Sequence, residues 1–225
     1  MASEKKNKFG NFLLNLVLIA FFSYAGGIVG ICANDKFPET STPDTNAIRK
    51  EMYRLRRLST TGDISIKGEV VGGLFGYLSS SSNVSDCDLT VTNAMSLSGS
   101  RITGGFVGHN EGALKNCIVV NQDQDDIDKD IMNNTHRYDN ATQDYNIGCQ
   151  NLFGGNAMFI GGIAGINLGG LIERSYNRVN VANKESLYAG GIVGLSIKGQ
   201  YKYLYVTSSV QGYSAIGGMF GVILD

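Results

Sequence analysis

The sequence predicts an all-β protein whose strands stack as a parallel β-solenoid (β-helix). Three observations support this fold class. A Gly-Gly-x-x-Gly motif (GGxxG below) occurs six times, and its two middle residues are always apolar. After most copies comes a polar turn and then a run of alternating or β-branched residues, which is typical of a strand. The 225 residues include 30 Gly but only two Pro, as expected for short strands joined by tight turns. A Gly-rich β-sandwich is the alternative, but it gives no reason for a sixfold repeat.

The spacing of the motif defines the repeat unit. Copies begin at Gly26, Gly72, Gly104, Gly161, Gly190 and Gly217. The unit is therefore roughly 27–32 residues, and two longer intervals contain insertions. A unit of this size cannot bury its own apolar face, so successive units must stack on one another. We expect the glycines to allow positive φ at corners and close approach of the backbones.

The repeats resemble a known family. The pattern GG[IL][VF]G followed by x-N-x-G-G-x-I-x-x-S-Y is similar to the GLUG repeat of bacterial surface proteins, with the best copies at 161–179 and 104–120. The resemblance covers residues 68–120 and 159–221 well. It implies export and a scaffold or adhesive role, and it carries no catalytic residue across. The irregular intervals of the chain depart from the family pattern.

Residues 1–22 have the layout of a signal peptide or hydrophobic anchor. Three lysines (Lys5, Lys6, Lys8) precede an apolar run. The uncharged stretch from Phe12 to Ala33 would span about 33 Å as a helix, enough to cross a bilayer and attach the protein to a membrane. A pilin-like leader cleaved after Gly10 is a third alternative, although Asn15 stands where such subunits usually carry Glu.

The end of that segment carries a copy of the repeat. Tyr24–Gly30 and Tyr188–Gly194 are identical over seven residues. This identity favours Tyr24–Gly30 as the first strand region of the fold and places the end of the export signal near Phe22.

Residues 23–60 are predicted to hold that first strand and a short capping helix. Thr42-Pro43 is a helix-start signal. Ile48, Met52, Leu55 and Leu58 fall on one helical face, surrounded by basic residues. We expect this basic amphipathic helix to cap one end of the solenoid. A helix lying on a membrane surface is the alternative.

Residues 61–225 are predicted to form the solenoid, with an acidic insertion at 121–158. The insertion contains Asp123, Asp125, Asp126, Asp128 and Asp130. Carboxylates are ligands for Ca²⁺, but the Gly and Glu of an EF-hand loop are missing, so a solvated acidic loop is favoured.

Three smaller features are candidate functional or stabilising sites: a pair of cysteines, a run of tyrosines and a histidine. Cys87 and Cys117 follow two motif copies at similar offsets, which predicts that they stack as a disulfide or as two buried thiols. Tyr201, Tyr203 and Tyr205 alternate, as residues on one strand face would; we favour ordinary half-buried strand residues, with an outward strip for sugar rings as the alternative. His109 follows a motif copy but has no nucleophile or acid at an interpretable spacing.

The sequence identifies no catalytic, cofactor-binding or metal-ligating residue. The net charge of −1 gives no reason to expect a nucleic-acid partner. The apolar segment SAIGGMFGVILD predicts an uncapped edge strand, so we expect either that the chain is a fragment of a longer protein or that this end docks on another chain. We therefore expect an exported, non-enzymatic, adhesin-like or structural protein at the cell surface. Through that end it would form a homo-oligomer or filament, or bind a glycan or protein partner. The alternatives are a pilin-like filament subunit and a polysaccharide-binding or lyase β-helix.

Overall fold

The computed structural model describes residues 23–32, 53–61, 64–91, 95–121 and 152–225. Within these ranges the chain forms 25 β-strands and no helix, which confirms the all-β prediction. No helix in the described ranges is long and apolar enough to span a membrane. The predicted export signal or anchor lies outside them.

The strands follow one another in six passes, each of which adds strands to the same sheets in the same order. The first pass comprises β1 (Tyr24–Gly26), β2 (Val29–Cys32), β3 (Tyr53–Arg56) and β4 (Ser59–Thr61). The second comprises β5 (Ser65–Gly72), β6 (Phe75–Leu78), β7 (Ser82–Ser85) and β8 (Asp88–Val91). The third comprises β9 (Ser96–Gly104), β10 (Val107–Asn110), β11 (Ala113–Lys115) and β12 (Ile118–Asn121).

The later passes add a fifth, two-stranded sheet. The fourth comprises β13 (Phe153–Gly154), β14 (Phe159–Gly161), β15 (Ala164–Leu168), β16 (Leu171–Glu173), β17 (Tyr176–Asn177) and β18 (Val181–Ala182). The fifth comprises β19 (Tyr188–Gly190), β20 (Val193–Ile197), β21 (Gln200–Lys202), β22 (Tyr205–Val206) and β23 (Val210–Gln211). The sixth comprises β24 (Ala215–Gly217) and β25 (Phe220–Leu224).

All strand pairs are parallel, and consecutive passes are neighbours. Sheet A has the order β1-β5-β9-β14-β19-β24, with β13 beside β9, and sheet B has the order β2-β6-β10-β15-β20-β25. Sheets C (β3-β7-β11-β16-β21) and D (β4-β8-β12-β17-β22) follow the same sequence, and β18 pairs with β23. Parallel in-register stacks of this kind are compatible with a parallel β-helix.

Each GGxxG motif forms the corner between sheets A and B. The first glycine ends a sheet A strand and the fourth residue begins a sheet B strand. At the third position, each N–H donates to the carbonyl of the same position in the next pass. The series runs from Ile28 to Leu74 (3.0 Å), Phe106 (3.0 Å), Ile163 (2.9 Å), Ile192 (2.9 Å) and Met219 (2.8 Å). The corner bonds therefore all point the same way along the stack.

The motif glycines are required by close packing, not by positive φ. A Cβ on the first glycine, such as Gly72, would collide with the carbonyl oxygen three residues later. One on the second glycine, such as Gly73, would collide with the carbonyl of Gly105 in the next pass. One on Gly108, a third glycine, would lie 2.8 Å from the carbonyl oxygen of Gly76 in the preceding pass. In the inner passes, none of these three positions has room for alanine.

The prediction of positive φ at these glycines was wrong. The described glycines with positive φ are Gly155 and Gly169, and neither belongs to the motif. Instead, the corner between sheets C and D uses non-glycine residues with φ between 47° and 56°, namely Arg57, Asp86, Asn116, Arg174 and Tyr203.

The core runs along the axis of the stack. The residue after the two motif glycines is fully buried in the four inner passes, as Leu74, Phe106, Ile163 and Ile192. The residues at this position in the first and sixth passes, Ile28 and Met219, are 40% and 37% exposed. Burial at this position therefore depends on a neighbouring pass on both sides.

The prediction of a capping helix is wrong for its last residues. Leu55 lies in β3 and Leu58 immediately precedes β4, so both belong to the stack as strand and turn residues. Strand pairing with β7 and β8 outweighs the helical pattern there, because it packs Leu55 and Leu58 against the core of the stack. The other residues of the predicted helical face, Ile48 and Met52, lie outside the described residues.

The acidic insertion also lies largely outside the described residues. Its last residues, 152–158, are described and pack onto sheet A. Phe153 pairs with Leu97, and Leu152 and Ala157 are buried.

Candidate interaction surface

The sixth pass carries an exposed apolar edge. Ile216, Met219, Ile223 and Leu224 are all exposed, Ile223 by 58%. The residues beneath three of them in the fifth pass, namely Ala189, Ile192 and Ser196, are fully buried. The fifth pass has a described pass on both sides, whereas the sixth has one on a single side. We call the sixth pass, β24 and β25, the trailing edge.

The first pass forms the opposite, leading edge. Ile28 and Ile31 are exposed there. Tyr77 of the second pass and His109 of the third occupy the same column as Ile31, and both are buried. Six of the nine large apolar residues that are exposed in the described ranges thus belong to the two edges. Both end passes of the described stack therefore expose apolar side chains.

The backbones of the two edges are complementary. In the corners, each pass donates its N–H to the pass that follows. The trailing edge therefore presents corner donors at Gly218 and Met219, and the leading edge presents corner acceptors at Gly27 and Ile28. No other described pass lies beyond either edge.

The buried ring of His109 packs in a row of aromatic rings that extends from sheet B to Tyr24 of sheet A. Its ring is 5.2 Å from that of Tyr77, which is 5.5 Å from that of Tyr24. Nε2 of His109 lies 3.5 Å from Oε1 of Glu111. Burial lowers the pKa of His109 to about 4, and burial, followed by the charges of Glu111 and Glu69, raises the pKa of Tyr24 to about 12. Both groups are neutral at pH 7.

Cys87 and Cys117 stack in adjacent passes as free, buried thiols. Sγ of Cys87 accepts from the N–H of Leu58 (3.4 Å), and in the same column the N–H of Cys117 donates to Oγ of Ser175 (3.1 Å). Burial raises the pKa of both thiols. They act as small polar groups that complete a turn, and they are poor nucleophiles at neutral pH.

The three alternating tyrosines do not share one strand face, so that prediction was wrong. Tyr201 packs toward the core, with its ring 4.7 Å from that of Phe220. Tyr203 occupies the positive-φ corner after β21 and is 75% exposed, while Tyr205 packs beside Ile118 and Tyr176. A turn between β21 and β22 breaks the alternation that the sequence suggested.

A buried polar ladder was missed by the sequence reasoning. Asn110 and Asn167 stack in neighbouring passes of sheet B, and both are fully buried. The ladder continues through the hydroxyl of Tyr201, which donates to Oγ of Ser196 at 2.6 Å. The signal in the sequence was an Asn two residues after the last glycine of the motif, in Gly108-His109-Asn110 and Gly165-Ile166-Asn167.

A scan against protein-family models found no matching family, and searches of curated proteins and of solved structures found no match. The resemblance to GLUG repeats stays a prediction from the quoted residues. The cluster of aspartates that could bind Ca²⁺ lies outside the described residues.

Proposed function

We propose that this protein is an exported, non-enzymatic β-solenoid that acts as a structural or adhesin-like scaffold at the cell surface. The observation that carries the proposal is the pair of exposed apolar edges on an otherwise well-packed stack. Exposed apolar strand edges favour pairing with a further pass of strands, which another chain can provide. The parallel register of sheets A to D supports the solenoid architecture.

The chemistry of the described side chains also favours a scaffold over an enzyme. His109 is buried and neutral, and the thiols of Cys87 and Cys117 are buried with raised pKa values. General bases and nucleophiles need access to substrate and a pKa near the working pH. These three groups satisfy neither requirement.

Export is supported by the basic start and the apolar run of residues 1–22. The test is N-terminal sequencing of native protein together with labelling of intact cells by a membrane-impermeant reagent. A mature N-terminus between Ser23 and Gly26 indicates a cleaved signal, Asn11 indicates a pilin-like subunit, and Met1 or Ala2 indicates an anchor. Protein found only inside cells with an intact N-terminus, and protected from the label, would overturn the proposal.

Glycan binding is a second candidate, favoured by two exposed aromatic rings. Tyr203 and Tyr213 are each about three-quarters exposed, and the guanidinium of Arg174 lies 5.7 Å from the ring centre of Tyr203. Exposed rings beside a cation suit the faces of sugar rings. A glycan array comparing the native protein with Tyr203→Ala tests this role, and an uronic-acid lyase assay separates binding from cleavage.

A further inference from the structure

We infer that two copies of this chain stack head to tail, with the trailing edge of one copy pairing with the leading edge of the next. This inference rests on the proposed scaffold function and names its partner as a second copy. The contact places Ala215–Gly221 of one copy directly before Tyr24–Gly30 of the other, so that sheets A and B continue across the junction.

The chain contains its own template for this junction. Tyr24–Gly30 is identical in sequence to Tyr188–Gly194. Within the chain, Tyr188–Gly194 follows Phe159–Gly165, and β14 pairs with β19 in register. Phe159–Gly165 reads FIGGIAG and Ala215–Gly221 reads AIGGMFG, so the Ile, the two corner glycines and the last glycine are shared. The leading edge thus has the same sequence as Tyr188–Gly194, which pairs within the chain with a segment similar to Ala215–Gly221.

One contact of the template is not reproduced. The ring of Phe159 stacks on that of Tyr188 at 5.1 Å, and Ala215 replaces Phe159 at the junction. The junction gains the larger Phe220 in place of Ala164. Sheets C and D end one pass earlier, at β21 and β22, so sheets A and B make the contact.

The direction of the corner hydrogen bonds selects head-to-tail stacking. The N–H of Met219 would donate to the carbonyl of Ile28 in the next copy, as the N–H of Ile163 donates to that of Ile192 at 2.9 Å within the chain. Two trailing edges brought together would place corner N–H groups against corner N–H groups. Buried donors without acceptors are costly, so that arrangement is disfavoured.

The apolar side chains of the edges match in the same register. Ile223 and Cys32 occupy the same column of sheet B, through Leu78, Asn110, Asn167 and Ser196. In the proposed stack, Ile223 of one copy therefore lies beside Cys32 of the next. Met219 covers Ile28 in the same way, and the exposed apolar residues at both ends become buried.

Cross-linking provides the first test, since Cys32 is a native free thiol. Ile223→Cys is made in the full chain carrying Cys149→Ser, and intact cells are treated with a mild oxidant. Within one molecule the two positions lie five passes apart, about 24 Å at the usual spacing of strands, so a disulfide between them must join two chains. We expect a ladder of reducible multimers on non-reducing gels, abolished by adding Cys32→Ser. Leu224→Cys, one residue out of register, should cross-link much less.

Gly218→Ala provides the second test, because it separates assembly from folding. A Cβ on Gly218 meets no atom within 4 Å in the single chain, whereas a Cβ on Gly191 would collide with the carbonyl of Gly218. By the template, a Cβ on Gly218 would collide with Gly27 of the next copy. In dilute solution, where copies do not stack, we expect Gly218→Ala to keep its thermal midpoint. Combined with Ile223→Cys in intact cells, it should abolish the multimer ladder.

The outcomes discriminate between arrangements. Equal cross-linking of Ile223→Cys with and without Cys32→Ser would indicate contact between two trailing edges and overturn the inference. An absence of multimers in every variant would also overturn it. Surface labelling of intact cells would still test the proposed scaffold function, whose partner would then be a different chain.

Discussion

Nδ2 of Asn110 donates a 2.8 Å hydrogen bond to Oδ1 of Asn167 across two neighbouring passes of the stack. Nδ2 of Asn167 lies 2.9 Å from the carbonyl oxygen of Gly170 and 2.9 Å from the hydroxyl oxygen of Tyr201. The amides therefore tie three passes together and close the turns that follow them. Since both are fully buried, their hydrogen bonds cannot be replaced by water without local opening.

Asn167→Ala should destabilise the protein by about 2–3 kcal/mol, because it leaves a donor of Asn110 and the Gly170 carbonyl without partners. The free energy of unfolding in urea measures this effect. Asn180→Ala is the matched control, since the side chain of Asn180 accepts one exposed bond from Ser209, and we expect a loss below about 1 kcal/mol. Equal losses in the two variants would contradict a structural role for the ladder.

Gly105→Ala should destabilise the protein by about 3 kcal/mol, because its Cβ would collide with the backbone carbonyl of Gly162. Gly218→Ala occupies the same motif position in the sixth pass and meets open space. In dilute solution, where copies do not stack, we expect its thermal midpoint to remain near that of the native chain. Comparable midpoints for both variants would show that close packing between passes does not explain the glycines.

His109 should make stability depend on pH below neutrality. Its folded pKa is about 4, below the unfolded value of about 6.5. Between these values the unfolded state binds a proton that the folded state excludes, so stability falls as pH drops from 6.5 to 4, by up to about 3 kcal/mol.

Urea unfolding at a series of pH values tests this prediction. His109→Gln should remove this part of the pH dependence, and His136→Gln, the same change at the other histidine, is the matched control. An unchanged slope in His109→Gln would contradict the assignment.

Lys198→Gly should stabilise the protein by about 0.5 kcal/mol. Lys198 has a φ of 52°, and the residue beneath it in the preceding pass is Gly169, with a φ of 69°. Removing the side chain relieves the left-handed strain, which outweighs the added freedom of glycine in the unfolded chain. Lys202→Gly, in the exposed strand β21, should instead destabilise by about 0.5–1 kcal/mol. Thermal unfolding of the two variants measures the opposite signs.

Repetition made much of the fold predictable. Six copies of GGxxG placed the corners between sheets A and B, and the apolar middle residues marked the core. The Asn two residues after the motif could have been recognised as a ladder in the same way. The corner between sheets C and D was not predictable, because Arg57, Asp86, Asn116, Arg174 and Tyr203 share a backbone conformation but no residue type.

The sequence by itself determined that this protein stacks short parallel strands, because a repeat with glycines at fixed positions and apolar residues between them can bury its core only against its own copies. The tertiary structure decided how each residue is used. Leu55 lies in a strand where a helical pattern was predicted, and Tyr201 turns toward the core while Tyr203 faces solvent. It also decided that Met219 is exposed while Ile192 is buried, since burial depends on a pass on both sides. Sequence patterns report a residue's own preference, whereas pairing with the neighbouring pass sets its environment.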